Sequence, residues 1–316
     1  MTGSPQESGE TAWDGPPGTG GAGLGWRMLS PAAARVPSPG NDPSVMHAPA
    51  AVVNVAPRLQ VLFIVLYLLA FLMTTVLHEA AHAVVSALLG GKPVMHHVYV
   101  RQQLTGGAPA VWVAAAGPIF SLLQGLFVGL ALPLLSRRPP ALRLFGLWMC
   151  IHGLINFSGY LLTAPLTVGD VSKVATLLAL PAAARWVLFG VGVVGVLSVG
   201  ALATTPLLRF APQPQLVTEP RGRARSIVAL GVWPWLLGGA GAALVSLPDA
   251  PWISFAYQWL AGFFLIGTWR RSFRVPAPEV SAKQWHGTAL WPWLLALGAL
   301  VLLFTAVLRP GVRVGW

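Results

Sequence analysis

The sequence predicts an all-α, polytopic membrane helix bundle of about seven transmembrane spans with a small hairpin at the membrane edge. Three observations carry that prediction. Only 9% of the 316 residues are charged and 55% are hydrophobic, whereas a soluble domain carries roughly 25% charged residues. Apolar runs long enough to cross a ~30 Å hydrocarbon core recur along the chain, separated by short basic loops. Many of the 14 Trp residues stand near the ends of those runs (Trp233, Trp235, Trp252, Trp269, Trp291, Trp293), where indole rings favour the membrane–water interface. The formal net charge of +11 does not point to nucleic acid. The basic residues are spread as loop anchors, with no basic patch interleaved with aromatics. Cys150 is the only cysteine, which rules out an intramolecular disulfide and a cysteine-based zinc site.

Residues 1–57 are rich in Gly, Pro, Ser and Ala without periodicity, the composition of a disordered tail. The first span is expected at 58–89, ending at Gly90-Gly91; it exceeds the hydrocarbon thickness and must tilt or protrude. Residues 92–110 are too polar to span. Within them 94–100 reads as a strand and Thr105-Gly106-Gly107 as a turn, which gives the hairpin. Spans follow at 111–135 and 144–164, separated by Arg137, Arg138 and Arg143. A short helix at 170–180 ends at Pro181, and a fourth span covers 185–207. Residues 208–225 read as a basic loop. Three more spans, at 226–247, 252–269 and 288–308, form a C-terminal membrane extension over 226–316. Trp233-Pro234-Trp235-Leu236-Leu237 recurs as Trp291-Pro292-Trp293-Leu294-Leu295; both read as helix starts with Pro in the first turn.

The chemistry is concentrated in His78-Glu79-Ala80-Ala81-His82, inside the first apolar run. A helix puts residues four apart on one face, so His78 and His82 can hold one metal ion between them. Glu79 lies beside the pair, where a general base for the attacking water is needed. Of the nine acidic residues, only Glu79 and Asp170 fall in or beside the expected bilayer, where a charged side chain costs about 2.5–3.5 kcal/mol at a helix centre. A catalytic zinc takes three protein ligands. Asp170 is the first choice for the third, with simple helix N-capping as its alternative. His152 is the rival ligand; it shares a helix face with Asn156, and a helix–helix hydrogen bond is its alternative role. His96, His97 and His286 sit in expected loops and read as solvated. Ala114-Ala115-Ala116-Gly117-Pro118 offers a small-residue surface that either seats the second span against the first or serves generic packing.

HEAAH in an apolar helix, a polar hairpin-like segment, Gly-Pro early in the next span, then Asn156 and Asp170 together resemble the site-2 protease family of intramembrane zinc metalloproteases. The resemblance covers about residues 60–180, within a metalloprotease core of 58–207. It implies zinc ligands at His78 and His82 and a catalytic glutamate at Glu79. The family's Gly-Pro-x-x-Asn motif falls on Gly117-Pro118-Ile119-Phe120-Ser121, with Ser in place of Asn. Gly169-Asp170-Val171 replaces Leu-Asp-Gly at a longer distance from Asn156, making Asp170 the third ligand and Asn156 a residue that positions substrate. The implied cofactor is Zn2+. The implied reaction is hydrolysis of peptide bonds in or near the transmembrane segments of a membrane-protein substrate, within a lipid bilayer and without nucleic acid. A non-catalytic metal-binding scaffold and an ion transporter using Glu79 and Asp170 are the competing classes. Orientation receives two answers. The positive-inside rule puts the N-terminus in the cytosol, as in a plasma-membrane protein. The family resemblance implies the opposite direction for the HEAAH helix.

Overall fold

The computed structural model of the chain describes residues 55–102, 104, 106–166, 168–248 and 259–315. The expected tail, 1–57, lies outside the described residues except for its last three. Among the described residues six helices are long and apolar enough to cross a membrane: α1 (Pro57–Leu88), α2 (Gly107–Leu135), α3 (Pro140–Leu162), α5 (Ala182–Leu208), α7 (Pro220–Ser246) and α9 (Trp291–Leu308). Shorter helices α4 (Asp170–Leu177), α6 (Gln215–Thr218) and α8 (Phe264–Ser272) lie between them. The first part of the span expected at 252–269 falls outside the described residues; residues 259–272 are helical.

Pro57, Pro140, Pro220 and Pro292 all stand in the first turn of a helix, where the missing N–H would have had no partner anyway. α1 and α3 are the inner helices. The best spanning window is 67% buried in α1 and 72% in α3, against 22% in α2 and 17% in α9. Phe63, Leu66 and Tyr67 of α1 pack with Leu144, Trp148 and Ile155 of α3 and with Val196, Val199 and Leu207 of α5. α2 instead exposes Leu123, Phe127 and Leu130, the outward apolar surface a lipid-facing helix requires. A buried polar tie joins three helices: Gln124 Nε2 donates to Thr74 Oγ1 (2.8 Å) and to the Met149 carbonyl (3.0 Å). Such side-chain bonds fix helix register where water is absent.

The two ends of the bundle differ. At the α1 start, Arg58 donates to the Thr288 carbonyl, Gln284 to the Ala211 carbonyl, and Arg223 to the carbonyls of Val217, Ser272 and Val275. The segment expected as a basic loop, 208–225, is therefore partly helical, with α6 and the first turn of α7 inside it. Pro220 starts that turn, and Arg223 satisfies the carbonyls that its neighbours leave free.

At the other end the hairpin exists but is built differently. β1 (Val94–Met95) and β2 (Val100–Arg101) pair antiparallel, with the turn at residues 96–99 closed by His96 N–H to the Tyr99 carbonyl (2.8 Å). The run 94–100 is thus two strands and a turn. A third strand, β3 (Val312–Arg313), pairs with β1 to give the order β2-β1-β3. His96 and His97 are not solvated as expected: His97 is buried with Nε2 3.2 Å from the Ser246 carbonyl, and His96 lies 3.1 Å from the Arg309 carbonyl and stacks on Tyr99. Trp233-Pro234 does not start a helix. Trp233 sits mid-way along α7 between two π-helical stretches and Pro234 opens the second, where widened turns accommodate a proline that has no N–H to give. The matching Trp291-Pro292 does start α9.

Candidate metal centre

His78 and His82 are one helical turn apart on α1 and both are buried. Each ring is held from behind. His82 Nδ1 lies 2.6 Å from the Val113 carbonyl, which only accepts, so Nδ1 carries the proton. His78 Nδ1 lies 3.0 Å from the Oγ of the fully buried Ser121, and the His78 ring stacks on Tyr160 with centroids 4.9 Å apart. With Nδ1 protonated, a neutral imidazole presents a bare lone pair at Nε2.

α4 brings the third group. Gly169 precedes it at φ +92°, and a Cβ there would meet Thr163 Oγ1; only glycine combines that backbone with that contact. Asp170 is then the first helical residue. Gly169, not Asp170, takes the N-cap position; Asp170 Oδ2 lies 3.1 Å from His78 Nε2 and 3.1 Å from His82 Nε2. The two Nε2 atoms are themselves 3.1 Å apart.

Three electron-pair donors therefore form a nearly equilateral triangle with no proton between them once both Nδ1 atoms are protonated. Such a cluster repels itself unless a cation is present. Its edge is close to the roughly 3.3 Å separating ligands of a tetrahedral ion with bonds of about 2.0–2.1 Å. The donor set His78, His82 and Asp170 could hold a metal ion. Gly117 completes the cradle: a Cβ at this position would meet Nε2 of both histidines. The small-residue stretch of α2 thus brings its backbone against the imidazoles, while Val113 and Ser121 on either side fasten their Nδ1 atoms.

The triad opens on a cavity of about 320 Å³. Glu79, Asn156, Tyr160 and Lys173 line it with His78, His82 and Asp170. Glu79 is 7% exposed, and no hydrogen bond to its carboxylate is found among the described residues. The hairpin supplies Val98, Tyr99 and Val100, and the C-terminal extension supplies Ser246, Leu260, Ala261 and Phe304. His152 is not brought to the triad. It is buried against Tyr67, Phe71 and Trp148 at centroid distances of 4.6, 5.5 and 5.7 Å. Ser121, Tyr160, Lys173 and the wall from the extension were not singled out for a role by sequence. Tyr160 and Lys173 had a signal, standing four residues after Asn156 and three after Asp170 on their helices. No protein-family model, curated protein or solved structure matches this chain.

Proposed function

We propose that the chain is an intramembrane zinc metalloprotease of the site-2 protease type, hydrolysing peptide bonds in or near the transmembrane segments of membrane proteins. The observation that carries this reading is the triangle of His78 Nε2, His82 Nε2 and Asp170 Oδ2, each pair 3.1 Å apart, with the carboxylate of Glu79 on the wall of the same cavity. A two-histidine, one-carboxylate set favours zinc and leaves a position for chemistry. When bound, zinc would bring the pKa of water to near ~7 and polarise the scissile carbonyl. Glu79 then accepts the proton of the water that adds to the carbonyl carbon and delivers it to the amine nitrogen as the C–N bond breaks. Asn156, on the cavity wall, offers an amide to hold the extended substrate backbone. Its partners in this reading are the lipid bilayer and a transmembrane substrate.

Glu79 favours an enzyme over a metal-binding scaffold. A buried carboxylate in an apolar helix costs free energy, and it is not one of the three atoms grouped around the candidate ion. It also argues against an ion transporter, whose acids would be coordinating groups. We further keep the crossing expected at 252–269 as a seventh, in a plasma-membrane protein with a cytosolic N-terminus. Leu247 is bound by Arg309 at the hairpin end, whereas Ser272 is bound by Arg223 at the α1-start end.

Zinc analysis of purified protein, paired with cleavage of a panel of single-span peptides, tests the reading. His78→Ala, His82→Ala and Asp170→Asn are expected to lose zinc and cleavage together. Glu79→Gln should keep zinc at wild-type stoichiometry and lose cleavage by at least about a hundred-fold, the contribution typical of a general base. Cleavage near the wild-type rate by Glu79→Gln overturns the assignment.

A further inference from the structure

We propose that the cavity mouth selects substrates carrying a carboxylate beside the segment to be cut, and that Lys173 receives it. This rests on the protease reading of the site and names the class of substrate it takes.

Lys173 lines the cavity and stands three residues after Asp170 on α4, so the two side chains share a helix face. Asp170 is committed to the two imidazoles, and no ion pair to Lys173 is found among the described residues. The Lys173 ammonium is exposed and has no carboxylate to neutralise it there. An ammonium in the wall of a cavity meets what enters that cavity, which assigns it to a substrate rather than to the surrounding lipid.

The strand register supplies a second, independent observation. Arg101 and Arg313 both pair across from Val94, so they lie in one row and on one face of the three-stranded sheet. Both are exposed. The next row, Val100, Met95 and Val312, faces the other way; Met95 is buried and Val100 lines the cavity. The sheet thus turns its apolar side to the site and its cationic side outward, with exposed Lys92 at its base. Arg185 and Arg309 at this end are bound to backbone carbonyls. Among the described residues no exposed carboxylate stands here; Glu219 and Glu279 belong to the opposite end. Among the described residues the rim carries one sign, and such a rim beside a low-dielectric cavity attracts the opposite charge and repels its own.

The test measures binding, so that it is separable from turnover. Full-length Glu79→Gln protein is placed in nanodiscs of zwitterionic lipid and titrated with two single-span peptides identical except for Asp-Asp or Lys-Lys at both ends. The acidic peptide is expected to bind roughly ten-fold more tightly, the scale of one or two partly exposed ion pairs. Adding Lys173→Glu should abolish or reverse the preference, and Lys173→Arg should retain it. Equal affinities for the two peptides, or a preference that survives Lys173→Glu, overturn the proposal. So does an effect of Lys173→Glu confined to retention of added anionic lipid. A failure of the protease reading looks different: the preference persists while protein with Glu79 intact cleaves neither peptide.

Discussion

At the scale of single residues, the candidate centre is defined as much by what lies behind the histidines as by the ligands. Gly117 is the sharpest case. Its missing side chain is the space into which both Nε2 atoms point. A methyl group there would occupy the donor triangle without touching the apolar core of α1 and α3. Gly117→Ala is therefore expected to abolish zinc binding while leaving helix content and detergent-solubilised melting within a few degrees of wild type. Metal analysis alongside circular dichroism reads both, and full zinc occupancy in the variant would show that the helix does not press on the site. The histidine pair and the carboxylate between its members were legible in sequence, because a spacing of four on a helix and an acid in an apolar setting are local facts. The role of Ser121 was not. It meets His78 across 43 positions of chain, and nothing in a serine's own neighbourhood announces such a partner. The Ser at the place of the family's Asn was visible, but only the packed helices put its hydroxyl on Nδ1.

At the scale of elements, the long apolar helices and a hairpin were legible and the three-stranded make-up of the small sheet was not. A run of apolar residues bounded by Pro, Gly or Arg fixes a spanning helix to within a few residues, as α1, α3 and α5 demonstrate. Residues 94–100 alternate well enough to read as one strand, because periodicity is blind to a turn whose residues are themselves β-formers. β3 is only two residues long, below any pattern. Yet it decides how the cavity-lining hairpin is held. Besides its pairing with β1, the Val314 N–H donates to the Pro93 carbonyl (3.1 Å), and the Arg309 carbonyl meets His96 Nδ1 (3.1 Å). Leu308, Val312 and Val314 pack with Met95 and Ala83 under the sheet. Two-stranded hairpins of this size are marginal alone. Removing residues 311–316 should therefore speed amide hydrogen exchange over 94–101 by at least about ten-fold, which corresponds to ~1.4 kcal/mol of local protection. Zinc occupancy should be unchanged, since no ligand lies in the segment. Unaltered exchange in the truncated protein would mean that α1 and the extension alone hold the hairpin.

At the scale of the whole molecule, the charge distribution and the direction of α1 together make a prediction about where the candidate centre sits across the membrane. The α1-start end carries Arg58, Arg137, Arg138, Arg143, Arg209, Arg221, Arg223, Arg225, Arg270, Arg271, Arg274 and Lys283. Among the described residues the hairpin end carries only Lys92, Arg101, Lys173, Arg185, Arg309 and Arg313. The excess comes from several separate loops, so it does not hang on one assignment of a span. Short cytoplasmic loops collect Lys and Arg because translocating them is unfavourable, so the charge rule predicts a cytosolic α1 start. His78 lies twenty residues beyond Arg58 in the same helix, about 30 Å along its axis, and so near the far face. The family resemblance argues for the reverse direction, and the two cannot both hold. Ser136 and Gln215, exposed at the arginine-rich end, decide between them when each is changed to Cys in a Cys150→Ser background. A membrane-impermeant maleimide applied to intact cells should label neither until the membrane is opened, if the charge rule holds. The cationic rim around Lys173 would then face away from the cytosol, and the acidic flank of the substrate would have to be sought on the outer side. Labelling of either residue on intact cells reverses the orientation. It would move the metal centre and its rim to the cytosolic side, leaving the chemistry of His78, Glu79, His82 and Asp170 as argued and changing only the face from which a substrate presents its carboxylate.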